Sequence, residues 1–169
     1  MLAFSGHSLG FVCRHYEEGA ALLEEAVQLD PNLAVGWIWR GTNRNRFGQP
    51  ELAIADLQRA IRLSPRDAFM FLAHGQMAAA HFIAGRYDEA VSWAENSLRL
   101  LPHHVTAHRV LVAVLALAGR DEAARRAWIT HRQFDPETRL STLAQRLAIA
   151  DESALAKFGQ GLRIAGMPE

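Results

Sequence analysis

Apolar residues recur at helical spacing along the first 136 residues, in runs separated by short polar segments. This period predicts amphipathic helices rather than strands. Four runs end just before a proline, which stops a helix because it lacks a backbone N–H donor. These prolines are Pro31, Pro65, Pro102 and Pro136, at intervals of 34, 37 and 34 residues. The nearly constant interval predicts an internal repeat in which each unit holds a pair of helices.

Glycines mark the middle of three of these units, each 17 residues before one of the prolines. They are Gly48, Gly85 and Gly119. Glycine accepts the left-handed backbone that ends many helices, so each glycine predicts the turn between two helices of a pair. An acidic residue follows each turn, at Glu51, Asp88 and Asp121. Negative charge there is favoured by the dipole of the second helix.

The helix pairs that these prolines and glycines delimit resemble the tetratricopeptide repeat. The pattern of that repeat has Trp, Leu, Gly and Tyr on its first helix and Ala, Phe, Ala and Pro on its second. The second repeat matches best, at Trp37, Gly41, Ala53, Leu57, Ala60 and Pro65. Arg40 and Arg44 depart from the pattern, where Leu and Tyr are usual. The first repeat is weaker and carries Arg14 where the turn glycine would be. Small residues are needed at Ala53, Ala90 and Ala124, because neighbouring helices are predicted to approach closely at these positions.

The resemblance implies an all-α fold, a right-handed α-α superhelix of four helix-turn-helix repeats with C-terminal capping helices. The repeats would span residues 1–33, 34–67, 68–104 and 105–136, and the cap would span 137–169. The longer middle interval places three extra residues in the connection 64–69.

The segment after Pro136 keeps helical signals although the repeat stops. Leu140, Leu143, Leu147 and Ile149 predict one amphipathic helix. A second is predicted to start at Asp151 as N-cap and to stop at Gly166 and Pro168. We expect the apolar stripes of both helices to close the open end of the fourth repeat. The alternative is a separate docking peptide.

In proteins of this family the first helices line a concave groove that binds partners. Carried over by position, and with Trp39 at the groove edge, the candidate partner-binding residues are Phe4, Ser8, Phe11, Ile38, Trp39, Thr42, Asn45, Arg46, Phe82 and Arg109. The set is mainly apolar, which favours an amphipathic helix, an extended peptide or a second copy of the chain as ligand. Arg46 and Arg109 would hold a partner carboxylate. Alternatively, the superhelix closes and these side chains pack together.

Charge and candidate chemistry narrow the functional classes. Eighteen basic residues balance eighteen acidic residues, so we expect neither nucleic acid nor a membrane as partner. The arginine clusters 40–46 and 59–66 are predicted to be solvated helix faces. His104 and His108 have helical i, i+4 spacing but lack further ligands, so no metal site is expected. No nucleophile elbow or phosphate loop occurs, which predicts a noncatalytic chain without cofactors.

Cys13 is the only cysteine, and neither an export signal nor an apolar membrane span is visible, so we expect a cytoplasmic protein. The predicted function is a protein-protein interaction module that binds a protein or peptide, or self-associates as a homo-oligomer. Residues 79–90 and 161–169 also resemble the C-terminal repeat region of bacterial nucleotide cyclases and winged-helix regulators. That similarity implies, as the alternative, a regulatory segment of such a protein.

Overall fold

The apolar runs of the sequence form helices in the computed structural model, which describes residues 1–13 and 15–169. In chain order the elements are α1 (Leu2–Ser8), a π-helical turn (Leu9–Cys13), α2 (Tyr16–Leu29), α3 (Ala34–Arg46), α4 (Pro50–Leu63), α5 (Met70–Ile83), α6 (Tyr87–Leu100), α7 (Val105–Leu117), α8 (Asp121–Phe134), a 3-10 turn (Leu140–Thr142), α9 (Leu143–Leu147) and α10 (Glu152–Ile164). No strand occurs within the two described ranges. Arg14, which the sequence places at the first turn, lies outside the described residues.

The three predicted glycine turns form as expected. Gly48, Gly85 and Gly119 have φ angles of 65°, 79° and 69°, in the left-handed region. The residue after each glycine donates its backbone N–H to the carbonyl five residues earlier, at 2.9 Å in all three turns. This bond satisfies a carbonyl that the end of the first helix leaves free. The acidic residues Glu51, Asp88 and Asp121 lie in the first turn of the helices that follow.

The connection between α4 and α5 is longer than those after α2 and α6. It spans six residues, 64–69, whereas 30–33 and 101–104 span four each. Helix α5 is also one residue longer than α3 or α7. The connection and the helix together accommodate the three extra residues that the sequence predicts in this part of the chain.

Helices pair in chain order, α1 with α2, α3 with α4, α5 with α6 and α7 with α8, and each pair packs on the next. The first helices also contact one another in succession, α1 with α3, α3 with α5 and α5 with α7. They therefore form the inner, concave layer of the stack. Ala53, Ala90 and Ala124 are buried at the helix contacts, as predicted. A Cβ on Gly41 would lie 2.8 Å from Leu57 Cγ, so α3 and α4 approach closely there.

An ion-pair cluster occupies the place where the second repeat departs from the family pattern. Arg40 donates to Asp56 from Nε at 2.9 Å and from Nη2 at 2.7 Å, and Arg44 Nη1 lies 3.0 Å from the same carboxylate. The Asp56 side chain is buried, and the Arg40 guanidinium also stacks on Trp37 at 4.3 Å. The prediction of a solvated face is therefore wrong for Arg40, and also for Arg46, which is buried. Both side chains pack against neighbouring helices instead.

The tail, residues 137–169, folds back over the concave face. Helix α10 packs against α7 rather than over the open end of the stack. Between α9 and α10 the backbone N–H groups of Ala150 and Asp151 donate to the Arg46 carbonyl at 2.9 and 3.0 Å. Lys157 Nζ donates to the carbonyl of Ile83 at 3.0 Å. The tail thus connects the fourth helix pair with the second and third.

The tail differs in part from its predicted helices. Asp151 caps α10 as expected, because its Oδ1 accepts from the Ala154 N–H at 2.7 Å. The single helix predicted over 140–149 is wrong, since only the 3-10 turn and the short α9 form there. Ala148 adopts a left-handed φ of 49°, which ends α9 and leaves Ile149 outside it.

Close contact between backbones holds α10 on α7. A Cβ on Gly161 would lie 2.6 Å from the carbonyl oxygen of Ala113 and 2.9 Å from its Cα. Leu162 and Phe158, on the same helix, are buried in the core that α10 shares with α5 and α7. Each such side chain contributes about 1.5–3 kcal/mol through removal of apolar surface from water. The missing side chain at Gly161 therefore sets how near the tail approaches.

Substitution of Gly161 tests whether this close backbone contact holds α10 on α7. Gly161→Ala places a methyl group against the α7 backbone, so we expect it to lower the free energy of unfolding by about 1–3 kcal/mol. Gly159→Ala on the same helix is the matched control, because its nearest neighbour, Leu143 Cδ2, would be 3.9 Å away. That variant should be slightly more stable, since alanine favours helix. Urea unfolding of both variants is the measurement. Equal unfolding midpoints for the two variants would contradict the role of the Gly161 contact.

Candidate functional site

A pocket of about 250 Å³ lies between the concave face and the tail. The first helices form its floor, and α9, its C-terminal flank and α10 form its roof. Its lining residues are Phe11, Thr42, Asn45, Arg46, Gln76, Ala79, Ile83, Thr106, Arg109, Val110, Arg146, Leu147, Ile149 and Phe158. The pocket is therefore the part of the groove that the tail encloses without filling.

Half of the candidate groove residues line this pocket. They are Phe11, Thr42, Asn45, Arg46 and Arg109. Ile38 and Phe82 have no exposed surface and belong to the interior. The Phe158 ring of the tail packs on Phe82 with 4.3 Å between ring centroids. For these two side chains the closed arrangement, which the sequence leaves as an alternative, is the one observed.

The remaining candidates lie toward the N-terminal end, in or beside an aromatic patch formed by Phe4, His7, Phe11, Trp39 and Phe69. The Trp39 ring packs against Phe4, His7 and Phe69, with centroid distances of 4.2, 5.0 and 6.4 Å. Trp39 itself is buried beneath α1, whereas Phe4 is 54% exposed. Ser8 is exposed at the end of α1. These residues are thus brought together outside the pocket, with Phe11 shared by both.

Arg46 is the most unusual side chain of the site. It is 5% exposed, and its guanidinium stacks on the Phe11 ring at 5.0 Å. Within residues 1–13 and 15–169 its Nη1 atom is buried without a hydrogen-bond partner, and no carboxylate pairs with it. Burial lowers the pKa of Arg46 to about 10, so the group stays protonated at neutral pH. The structure thus holds a cation here without a counter-ion from its described part.

Arg109, at the other side of the pocket, is paired. Its Nη2 atom donates to Asp135 at 3.2 Å, and Arg146 Nη1 donates to the same carboxylate at 2.7 Å. Thr138 also donates to Asp135. Burial opposes ionisation of Asp135, but the Thr138 hydrogen bond and the neighbouring guanidinium groups outweigh it and lower its pKa. One carboxylate therefore serves two arginines, which leaves an excess of positive charge.

The histidines considered as metal ligands have other hydrogen-bond partners. His104 Nδ1 lies 2.8 Å from Ser97 Oγ, and His108 Nε2 lies 2.8 Å from the Pro102 carbonyl. Burial, aided by nearby positive groups, lowers the pKa of His104 to about 4. Among the described residues no group of three potential ligands is close enough to hold a metal ion.

Sequence reasoning missed the pocket residues contributed by the tail, Arg146, Leu147, Ile149 and Phe158, and also Gln76 from α5 and Val110 from α7. Gln76 accepts from Asn45 Nδ2 through its backbone carbonyl at 2.9 Å and through its side chain at 3.1 Å. The apolar stripe of the tail was visible in the sequence, but the surface that it packs on was not, because that surface is formed by distant helices and the contacts to Arg46 and Ala113 are made by backbone atoms.

The chain is similar in structure to several solved proteins. MamA matches with a TM-score of 0.64 at 16% identity, covering 94% of this chain and 91% of that chain. TTC0263, described as a thermophilic TPR (tetratricopeptide repeat) protein of Thermus thermophilus, matches with a TM-score of 0.68 at 17% identity, covering 95% and 90%. YrrB, described as a TPR protein with an unusual peptide-binding site, matches with 0.58 at 16%, covering 94% and 82%.

No protein-family model matches the chain. At these identities the structural likeness establishes the fold, so the predicted α-α superhelix of tetratricopeptide type is confirmed. The similarity to cyclase and regulator segments remains a prediction from the sequence. In the part of the chain that the structure describes, no helix has the length and apolar character needed to span a membrane.

His131 lies near the Arg109 and Arg146 side chains and gives a prediction for the pH dependence of stability. It is fully buried, neither ring nitrogen has a partner in the described ranges, and burial followed by the charge of Arg109 lowers its pKa to about 4. Unfolding returns its pKa toward the ordinary 6.5. The unfolded chain therefore binds the proton first, and the stability present above pH 6.5 is lost as the pH falls toward 4.

We expect His131→Phe to reduce that acid loss of stability by on the order of 2–3 kcal/mol near pH 4. The measurement is the free energy of unfolding from urea titrations at a series of pH values. His103→Phe, which replaces an exposed histidine, is the control. A His131→Phe variant with the wild-type pH profile would show that this residue does not carry the effect.

Proposed function

We propose that the chain is a noncatalytic interaction module that binds a protein or peptide on the uncovered part of its concave face. The aromatic patch, which the tail leaves exposed, is the observation that carries this proposal. Phe4, Phe11 and Phe69 are 54, 45 and 37% exposed. Exposed aromatic side chains that converge on one surface are characteristic of binding sites, because they remove a large apolar area from water on contact.

The fold supports the same reading. The first helices of a repeat stack present a continuous inner surface, and YrrB, a structural neighbour, is described as having a peptide-binding site. In this chain the surface that stays accessible is at its N-terminal end, around Phe4, Ser8 and Trp39. Phe82 and Arg109 would take part only if the tail moved away, and Ile38 lies in the interior of the stack.

The partner that fits this patch presents an apolar or aromatic segment. Arg46 lies directly under the Phe11 ring, so an acidic residue beside that segment would be favoured. A second copy of the chain is one partner of this kind, and self-association through the patch would produce a homo-oligomer. The proposal does not include catalysis, because the sequence contains no nucleophile elbow and no phosphate-binding loop.

Substitution of the patch tests the function. Peptides selected from a random display library against the full chain should bind less tightly to Phe4→Asp and Phe69→Asp, by at least about tenfold each. Loss of one buried ring costs about 1.5–3 kcal/mol. Fluorescence anisotropy with a labelled selected peptide gives the affinities, and sedimentation velocity reports self-association.

Ile129→Asp is the matched control, since Ile129 is 63% exposed on α8, away from the patch. It should bind as the wild type does. Thermal unfolding of each variant separates loss of binding from loss of fold. Peptides that bind both patch variants and the wild type equally, or a library that yields no binder, would refute the proposed function.

A further inference from the structure

The pocket under the tail is distinct from the aromatic patch and has a different chemical character. Its charged lining residues are Arg46, Arg109 and Arg146, without an acidic residue among them. Asp135, just outside, pairs with Arg109 and Arg146. Arg46 is therefore a cation without a paired carboxylate in the described part of the chain. An ionised group held out of water is strongly unfavourable unless a counter-ion or several hydrogen bonds compensate it.

Other polar atoms around the pocket are also incompletely bonded. In the described part of the chain, Asn45 Oδ1 and Arg109 Nε are buried without hydrogen-bond partners, as is Arg46 Nη1. Buried polar atoms are rarely left in this state, so the hydrogen bonding of the pocket walls is incomplete. A ligand that balances this surplus of guanidinium groups carries an anionic oxygen.

The rest of the lining is apolar. Ile83 and Val110 line the floor, and Leu147, Ile149 and Phe158 line the roof. The volume of about 250 Å³ lies just below the roughly 300–1,000 Å³ of pockets for drug-sized molecules, so the ligand is small. Apolar walls favour a carboxylate on an apolar body over inorganic phosphate, because phosphate needs donors on every side.

We propose that this pocket binds a small organic carboxylate, with the carboxylate on the Arg46 guanidinium and the apolar body beneath the tail. A planar guanidinium holds a carboxylate through two parallel hydrogen bonds, and low polarity around the pair strengthens them. The proposal goes beyond the interaction function, since the ligand is a small molecule and its site beneath the tail shares only Phe11 with the patch.

The same residue couples the ligand to the tail. The backbone carbonyl of Arg46 accepts from Ala150 and Asp151, and its side chain lines the pocket to which the neighbouring Ile149 also contributes. A carboxylate that occupies the pocket contacts floor and roof together, so it binds only while the tail is seated. Ligand binding therefore protects the Ala150 and Asp151 amides from hydrogen exchange.

The test uses the full chain with benzoate and hexanoate as probes and with benzamide and hexanamide as uncharged controls. We expect both carboxylates at millimolar concentration to raise the melting temperature and to slow amide exchange at Ala150 and Asp151, and both amides to do neither. Inorganic phosphate at matched ionic strength is the control for general anion effects.

Arg46→Met is the decisive variant, because methionine keeps the apolar stem and removes the charge. We expect at least a tenfold lower affinity for benzoate by titration calorimetry, together with an unchanged or higher melting temperature without ligand. Arg62→Met, which replaces an exposed arginine on α4, should retain wild-type affinity. Phe4→Asp should also retain it, which separates this site from the proposed function.

Several outcomes would overturn the proposal. These are the absence of any effect of the carboxylates, an equal effect of the amides or of phosphate, and wild-type affinity in Arg46→Met. Binding of peptides through their C-terminal carboxylate, without binding of the free acids, would likewise replace the small-molecule site by a peptide site.

Discussion

The whole architecture depends on close approach between helices at positions that carry little or no side chain. Alanine or glycine at these positions lets neighbouring helices approach through their backbones, as Gly41 does against Ala53 and Gly161 does against Ala113. Bulky side chains there would separate the layers and expose the interior. The same constraint governs the repeats and the tail, so one packing rule builds the stack and also closes its inner surface.

Closure of the inner surface divides the concave face into two regions of different chemistry. Beneath the tail, arginine side chains face an enclosed space with apolar walls. Beyond it, aromatic rings lie partly exposed around Trp39. Phe11 contributes to both regions, since its ring contacts His7 on one side and Arg46 on the other. A change of conformation at Phe11 would therefore be felt in both regions.

Much of the fold follows from local signals in the sequence. Prolines and left-handed glycines locate the helix ends, and the longer proline interval locates the extended connection 64–69. The path of the tail does not follow from such signals. Ala148 adopts a left-handed backbone although it is not a glycine. The hydrogen bonds from Ala150 and Asp151 to Arg46 involve only backbone atoms, so the side chains of the sequence do not predict them.

The candidate site, like the fold, was predictable only where local sequence signals determine it. Position in the repeat identified the floor residues Thr42, Asn45 and Arg46, because the inner face of a repeat is fixed by its period. It did not separate buried Ile38 and Phe82 from accessible side chains, since their burial depends on packing between distant segments and, for Phe82, on the tail. The return of the tail to Arg46 also limits the number of helix pairs that can lie between Arg46 and the tail. An ordinary solenoid can gain or lose a unit, because each unit contacts only its neighbours. Here an added hairpin between α3 and α8 would carry Arg46 out of reach of Ala150, so this contact allows only one spacing between the second repeat and the tail.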